Sequence, residues 1–413
     1  MADLMPMKKK TLAEKKNLLD KIAAKVNKKY GKAILGRIGA NPEIADRLSV
    51  KWIPFACPDL NVAVGGGIPR RRCTLIAGLP DSGKTSLILE TIGKEMQRNE
   101  DFVACWVESE NSLDQEYICK THNIDPERLV YIPVDSGTSA EEILDILYET
   151  MKTGSIDICC INSLKSLVPT QEMEASLSNA VVGTQARMNA RITRKFNAVV
   201  AEFETAFVLI THLTTQIGTM SRDPLIVAGG HAIQYWSSLT LDMRKKSISD
   251  GDPISKEEGV KIGVTVRKNH VMPDKYPYVK LDYYAVFGKG IETVFSALAA
   301  AVNKGICRVT GAWIRQYNPE TGEEVNAWNG KKAFRAYMLD NPDEFEEFSA
   351  QVYGGVQLSE EEVEKIQAED AAIAKVAEKN VGKNKKAKKI SKAEKVEDPT
   401  DAIVEAIEQE DVG

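Results

Sequence analysis

The segment Gly78-Leu79-Pro80-Asp81-Ser82-Gly83-Lys84-Thr85 constrains this chain more tightly than any other. It carries the spacing GxxxxGK(S/T), follows the apolar run CTLIA and precedes SLILETIG, whose apolar residues recur at helical intervals. A strand, a glycine-rich loop and a helix in that order aim loop N–H groups and the positive end of the helix dipole at one spot, which suits an anion. The run of Gly78, Leu79, Pro80, Asp81, Ser82, Gly83, Lys84, Thr85 and Ser86 is therefore the candidate nucleotide-binding segment. In such a loop Lys84 reaches the β- and γ-phosphates of a nucleoside triphosphate and the Thr85 hydroxyl ligates Mg²⁺.

The chain beyond the loop repeats the same plan. FVACWV, LVYIPV, IDICCI and AFVLITH are short apolar runs interleaved with the helical patterns EEILDILYETMK and MNARITRKFNAVVAEF. This alternation predicts an α/β fold, a mostly parallel sheet flanked by helices on both faces. SLTLDMRK, VKIGVTVRKN and YVKLDYYAV follow without intervening helical patterns and are expected to form an antiparallel extension. Upstream, Thr11 and Glu14 have capping-box spacing, and Leu12, Leu19, Ile22, Val26 and Tyr30 mark the apolar face of a helix with a basic back that Gly31 ends. The expected organisation is a basic N-terminal helix and linker over 1–45, an ATPase core over 46–287, a small α+β C-terminal domain over 288–355, and a charged tail, read as disordered, over 356–413.

Composition narrows the setting. The 413-residue chain is 43% hydrophobic and 27% charged, with no apolar run near the roughly 18 residues that span a bilayer. The basic start MADLMPMKKK has no apolar signal segment behind it, so a cytoplasmic protein without a membrane partner is expected. Seven cysteines without a CxxC pair point to buried thiols in a reducing compartment, and four histidines without HExxH or HxxxH spacing give no zinc signature. The net charge of -5 conceals a lysine-rich run over 379–395 and an acidic end. Both read as solvated tail, the basic run being able to meet DNA electrostatically.

Two strand ends carry the remaining chemistry. FVACWV leads into Glu108-Ser109-Glu110, and a carboxylate at the tip of a strand beside the loop can take a proton from the water that attacks a γ-phosphate. Either glutamate fits, and so does an ordinary solvated strand end. IDICCI leads into Asn162-Ser163, where a nucleotide-hydrolysing protein usually has an aspartate that holds Mg²⁺-bound water. An amide oxygen accepts the same hydrogen bond but brings no charge. On that basis Asn162→Asp is expected to lower the Mg²⁺ requirement and raise turnover about tenfold. The alternative is that a neighbouring acceptor already holds the amide, so that the new acid would bury an uncompensated charge.

The string WVESENSLDQEY, Trp106 to Tyr117, resembles the RecA family of recombinases, and further matches in the same order extend over residues 21–345. KIAAKVNKKYGKAILGRIG resembles the family's N-terminal helix and packing segment, and FGKGI and the GAW of 311–313 resemble its C-terminal domain. The resemblance implies a RecA-type P-loop ATPase core, Glu110 as the catalytic base, Asp114 and Tyr117 as adenine contacts, and Asn162 at the position of the metal-holding aspartate. PTQEMEASLSNAVVGTQARM resembles the first DNA-binding loop and ITHLTTQIGTMSRDPLIVAGGHAIQYW the second. VRKNH resembles the segment that senses ATP bound to a neighbouring subunit, which implies a cross-subunit contact for Lys268. Read without the family, both loops are small, polar segments leaving strand ends. Arg187, Arg194 and Arg222 can bind phosphates, Gly229 and Gly230 offer main-chain N–H groups, and Val182, Ile217 and Met220 can wedge between bases. Ordinary surface loops share that composition.

Beside Asn162, three positions depart from the bacterial pattern. His212 stands where a γ-phosphate-sensing glutamine is usual, although phage-type recombinases often have histidine there; a hydrogen-bonded core histidine is the bland alternative. His270 replaces a second interface cation, and Gln216 a cation of the second loop. The expected catalytic set is Lys84, Glu110, His212 and Lys268, with Thr85 and Asn162 toward the metal. The implied activity is a DNA-dependent ATPase that uses ATP and Mg²⁺ to polymerise as a helical homo-oligomer on single-stranded DNA and to exchange strands with homologous double-stranded DNA. A phage-encoded member working in a bacterial cytoplasm is favoured. A weakly hydrolysing structural filament and a ring-forming helicase or repair ATPase with the same core are the other readings.

Overall fold

The computed structural model describes residues 10–176, 183–215, 225–227, 231–249, 252–272 and 279–353. They form two compact units, one ending at Ala300 and the other starting at Ala301.

The first unit is built on a ten-stranded sheet. Its longer strands are β1 (Cys73–Gly78), β2 (Ala104–Glu108), β3 (Leu129–Pro133), β4 (Ile158–Asn162), β5 (Ala206–Thr215), β6 (Leu239–Lys246), β7 (Gly259–Asn269) and β8 (Lys280–Val286). They lie in the order β8-β7-β6-β1-β5-β4-β2-β3, with Gly290–Ile291 beyond β8 and Leu225–Val227 beside β5. β1, β2 and β4 are buried at every position, which is why their sequences are continuous apolar runs rather than alternating ones.

The helices used below are α1 (Leu12–Tyr30), α2 (Lys84–Arg98), α3 (Gln115–His122), α4 (Ala140–Lys152), α5 (Thr184–Glu202) and α6 (His231–Trp236). Neighbouring residues on each strand point to opposite faces. Ile76, Trp106 and Cys160 pack with Leu87, Ile88 and Ile92 of α2 and Ile118 of α3. Leu75, Cys105 and Cys159, one position earlier on the same strands, pack with Ile143 and Leu147 of α4 and Ile192 and Phe196 of α5.

One expectation needs correction. β6, read as part of the antiparallel extension, pairs with β1 in parallel, and antiparallel pairing begins with β7 and β8. Parallel strands need a crossover connection, and α6, too short to register as a helical period, belongs to it.

α1 has the expected ends. The Thr11 hydroxyl accepts from the Glu14 N–H, the Glu14 carboxylate accepts from the Thr11 N–H, and Gly31 closes the helix at φ 69°. Its apolar face is not covered by the described residues: Leu12, Leu19, Ile22 and Tyr30 are exposed, and Ala23 is its buried residue.

The second unit pairs Cys307–Thr310, Trp313–Tyr317 and Glu324–Asn329 antiparallel. It buries Ile314, Trp328, Phe334 and Phe348, with Phe334 edge-on to Trp328 at 4.9 Å and to Phe348 at 5.6 Å. No described helix is long and apolar enough to cross a membrane. All seven cysteines are free thiols, six of them buried.

Candidate nucleotide site

Sheet register assembles the site. Gly78 at the end of β1 lies opposite His212 on β5, and Glu108 at the end of β2 lies opposite Asn162 at the end of β4. These are carboxyl ends of parallel strands, where α/β sheets take ligands. Gly83 precedes α2 at φ 77°, without a side-chain cap and with no acidic residue in the first helical turn, so the first N–H groups of α2 suit an anion. A Cβ on residue 83 would lie 2.4 Å from Ile262 Cδ1, and one on residue 78 would lie 2.4 Å from Ser82 Oγ and 2.5 Å from the Met243 carbonyl oxygen. Glycine is thus required at both ends of the loop.

Lys84 is buried, and its Nζ donates to the Leu79 carbonyl at 2.8 Å, with Ser82 Oγ at 3.5 Å. Burial pulls the ammonium below its ordinary range, against the opposing charges of Glu110 and Asp81. A charged donor resting on a neutral carbonyl has a stronger partner in a phosphate.

Glu110 follows β2 and stands beside His212, whose Nε2 is 2.8 Å from Glu110 Oε1. Burial pushes the Glu110 carboxyl up, but hydrogen bonds from Ser163 and His212, together with the charges of His212 and Lys84, outweigh it and hold the carboxyl below its ordinary value. Among the described residues, His212 Nδ1 is buried without a hydrogen-bond partner. The histidine is therefore not a satisfied core residue; its one bonded ring nitrogen is spent on Glu110.

Thr85 Oγ1 donates to Asn162 Oδ1 at 3.5 Å. An alcohol and an amide oxygen are hard donors of the kind Mg²⁺ takes, and the ion usually binds one or two protein groups beside substrate phosphates and water. The two residues fit such an ion. Among the described residues no group of three or more His, Cys, Asp or Glu side chains forms a separate metal cluster.

Asn162 is held from the other side. Its Nδ2 donates to Glu108 Oε2 at 3.0 Å, so the neighbouring acceptor that would make an aspartate unwelcome at 162 is present. Glu108 was only one of two candidate bases in the sequence, and Ser163 was not singled out. Both emerge from the pairing of β2 with β4, which a sequence does not display.

The candidate base contacts sit on α3. Asp114 caps this helix by accepting from the Tyr117 N–H at 2.7 Å, and Tyr117 exposes half its surface while meeting the His122 ring edge-on at 5.5 Å. Lys268 lies just past a bulge in β7, where its Nζ donates to the carbonyls of Gln234 and Tyr235 at 2.8 and 3.1 Å. Within a single chain the lysine is therefore bonded to the end of α6 rather than to Glu110, and burial lowers it from its ordinary value.

Of the candidate DNA contacts, Arg187 and Arg194 are exposed on α5, Arg187 donating to Gln171 Oε1 at 3.1 Å. Arg191 lies between them and is also exposed, 3.9 Å from Glu141. The three share one helical stripe at i, i+4 and i+7, a spacing legible in the sequence. Val182, Ile217, Met220, Arg222, Gly229 and Gly230, together with Gln216 and the 356–413 tail, lie outside the described residues.

A family model described as the RecA N-terminal domain matches residues 17–292. Protein RecA of Thermus aquaticus is 31% identical over 342 residues, covering 82% of this chain and 94% of that protein. Protein RecA of Saccharopolyspora erythraea is 32% identical over 332 residues, with 80% and 90% covered, and that of Aquifex aeolicus 29% identical over 360 residues, with 87% and 98% covered. A phosphate loop, a paired carboxylate and a strand-end amide on this sheet, in a chain that aligns with these proteins over nearly their whole length, lead to one conclusion: the chain belongs to the RecA family.

Proposed function

We propose that this chain is an ATP-dependent DNA recombination and repair protein that polymerises on single-stranded DNA, pairs it with a homologous duplex and exchanges strands. The observation that carries the reading is the Glu110–His212 contact. It ties the carboxylate best placed to act as base to β5, the strand that runs directly into the second candidate DNA loop. A change at the γ-phosphate therefore has a mechanical route to the DNA side.

In this reading Lys84 leaves the Leu79 carbonyl for the phosphates of ATP. Glu110, held below the ordinary carboxyl range, accepts a proton from the attacking water while Ser163 and His212 keep it in place. Bound Mg²⁺, beside Thr85 and Asn162, supplies charge that stabilises the phosphates. Lys268 exchanges its contacts on α6 for the nucleotide of a neighbouring subunit. The apolar face of α1, exposed among the described residues, supports self-association, and the arginine stripe on α5 supports binding to a phosphate backbone. His212 and Asn162 support a phage-encoded member active in a bacterial cytoplasm. The amide at 162 also favours a second reading, a filament that hydrolyses ATP slowly and uses it mainly as a clamp.

Phosphate release with and without single-stranded DNA, combined with electron microscopy of the same mixtures, tests the proposal. DNA-stimulated release and helical filaments are expected. Rings, or release indifferent to DNA, would overturn it, and filaments with barely measurable release would select the clamp.

A further inference from the structure

Glu108 is fully buried, and so are its neighbours Trp106 and Asn162. Hydrogen-bond donors surround its carboxylate. Oε2 accepts from Asn162 Nδ2 at 3.0 Å and from Trp106 Nε1 at 2.9 Å. Oε1 accepts from the Glu110 N–H at 2.9 Å and from the Ser112 N–H and hydroxyl at 3.4 and 3.3 Å. A carboxylate is an acceptor at both oxygens and satisfies all of these donors at once.

This arrangement decides which way the Asn162 amide points. With Nδ2 bound to Glu108, Oδ1 is left for Thr85 Oγ1 at 3.5 Å. Flipping the amide would set an oxygen against the Glu108 oxygen, two acceptors at hydrogen-bond distance with no proton between them, and would turn an NH₂ group toward Thr85. An amide can serve beside a cation only through its oxygen, so the partner that fixes the flip governs whether Asn162 is usable. The register that sets Glu108 opposite Asn162 also puts the negative charge one hydrogen bond behind that oxygen.

We infer that Glu108 is the positioning residue of the metal side of this site: from β2 it locks the Asn162 carbonyl toward Thr85 and stands in, across the strand pair, for the carboxylate that β4 lacks. This rests on the reading of the cleft as an ATP·Mg²⁺ site. Groups that orient the residues holding a metal change its affinity by about 10- to 100-fold when altered, and the same order of effect is expected whether Asn162 meets the ion itself or its bound water. The same geometry reverses the simple expectation for Asn162→Asp. An added acid at 162 faces Glu108 with no donor between them, and the gain in charge is offset by repulsion in a buried pair.

The test is a charge swap. The full chain and the variants Glu108→Gln, Asn162→Asp and Glu108→Gln/Asn162→Asp are compared for thermal stability without Mg²⁺ and for the Mg²⁺ concentration that half-saturates binding of a fluorescent ADP. Glu108→Gln presents an NH₂ to Asn162, flips the amide and is expected to raise the Mg²⁺ requirement about tenfold. Asn162→Asp is expected to melt earlier without lowering that requirement. In the double variant the amide introduced at position 108 donates to the carboxylate introduced at position 162. The requirement should then return to within about threefold of the parent, although Trp106 Nε1 loses an acceptor and full thermal stability does not return. Should Glu108→Gln not fold, the double variant must still melt above Asn162→Asp. An unchanged Mg²⁺ requirement in Glu108→Gln, a lowered one in Asn162→Asp with its melting point intact, or a double variant no better than the worse single one would overturn the inference. Lys84→Ala is the control for the underlying reading: if it binds the nucleotide as the parent does, the ATP site itself is misassigned, whatever the swap shows.

Discussion

His212 Nε2 lies 2.8 Å from Glu110 Oε1, a bridge between the ends of β5 and β2, which are separated in the sheet by β4. Ser163, just past β4, acts with His212 to hold the Glu110 carboxyl below its ordinary value, against the effect of burial. A ligand that draws either partner away must loosen the other.

The pH dependence of activity should report this bridge. Burial raises the Glu110 carboxyl, and the contacts with Ser163, His212 and Lys84 more than reverse that effect. A base must be deprotonated to act, so the acid limb of the rate profile reflects this lowered value. His212→Gln keeps a hydrogen-bond donor but removes the possibility of charge, and the acid limb should move to higher pH. Stability follows the same sign: a depressed carboxyl stabilises the fold above its unfolded value and loses that contribution as pH falls through the folded one, and in the variant the loss begins at higher pH. A DNA-stimulated ATPase profile for both proteins checks this, and coincident acid limbs would exclude the coupling.

Lys84 offers a cleaner separation of fold from function. Its Nζ bonds to the Leu79 carbonyl of its own loop, and nothing in the sheet core depends on it. Lys84→Ala should keep its melting temperature within a few degrees. Hydrolysis should fall by about a hundredfold or more, the scale of losing one charge-stabilising donor, and nucleotide-dependent filaments should vanish. Calorimetry with a phosphate-release assay decides it; a large drop in melting temperature would mean that the lysine is structural.

The elements that position this site were legible because each leaves a local trace. Gly78 to Thr85 announces a strand, a turn and a helix, and α1 announces both of its caps at Thr11 and Gly31. Parallel strands buried on both faces, such as β4, read as unbroken apolar runs. Relations between strands leave no such trace. Glu108 and Asn162 are far apart in the chain and become partners only through parallel register, so the sequence allows an acceptor for the amide at 162 but does not say which residue supplies it. β6 likewise looked antiparallel, since a helix as short as α6 cannot show a period.

The arginine stripe on α5 makes a quantitative prediction. Arg187, Arg191 and Arg194 are exposed on one face, and each phosphate contact on a single strand contributes about 0.7 to the slope of log affinity against log salt. Replacing all three with alanine should flatten that slope by about 2, and Arg191→Ala alone by about 0.7. Fluorescence anisotropy of a labelled oligothymidine over a series of salt concentrations measures it. A parallel, merely displaced line would place the helix away from the DNA backbone.

Gly93 sets two expectations against each other. It sits in the middle of α2, where replacing glycine by alanine ordinarily stabilises a helix by about 1 kcal/mol. A Cβ at this position would, however, lie 1.6 Å from the backbone carbonyl oxygen of His122, the last residue of α3, and a backbone atom cannot swing aside as a side chain can. α2 and α3 cross at this glycine. Overpacking of this kind costs about 1–3 kcal/mol and exceeds the propensity gain, so Gly93→Ala should be less stable than the parent in urea. The strain is relieved by moving α3 outward, and α3 carries Tyr117. Nucleotide affinity should therefore fall together with stability, although residue 93 lies in the helix interior and not in the phosphate loop. Urea unfolding and ADP titration of one variant test both steps: a more stable Gly93→Ala would show that the helices part at no cost, and a less stable variant with unchanged affinity would remove Tyr117 from the base site.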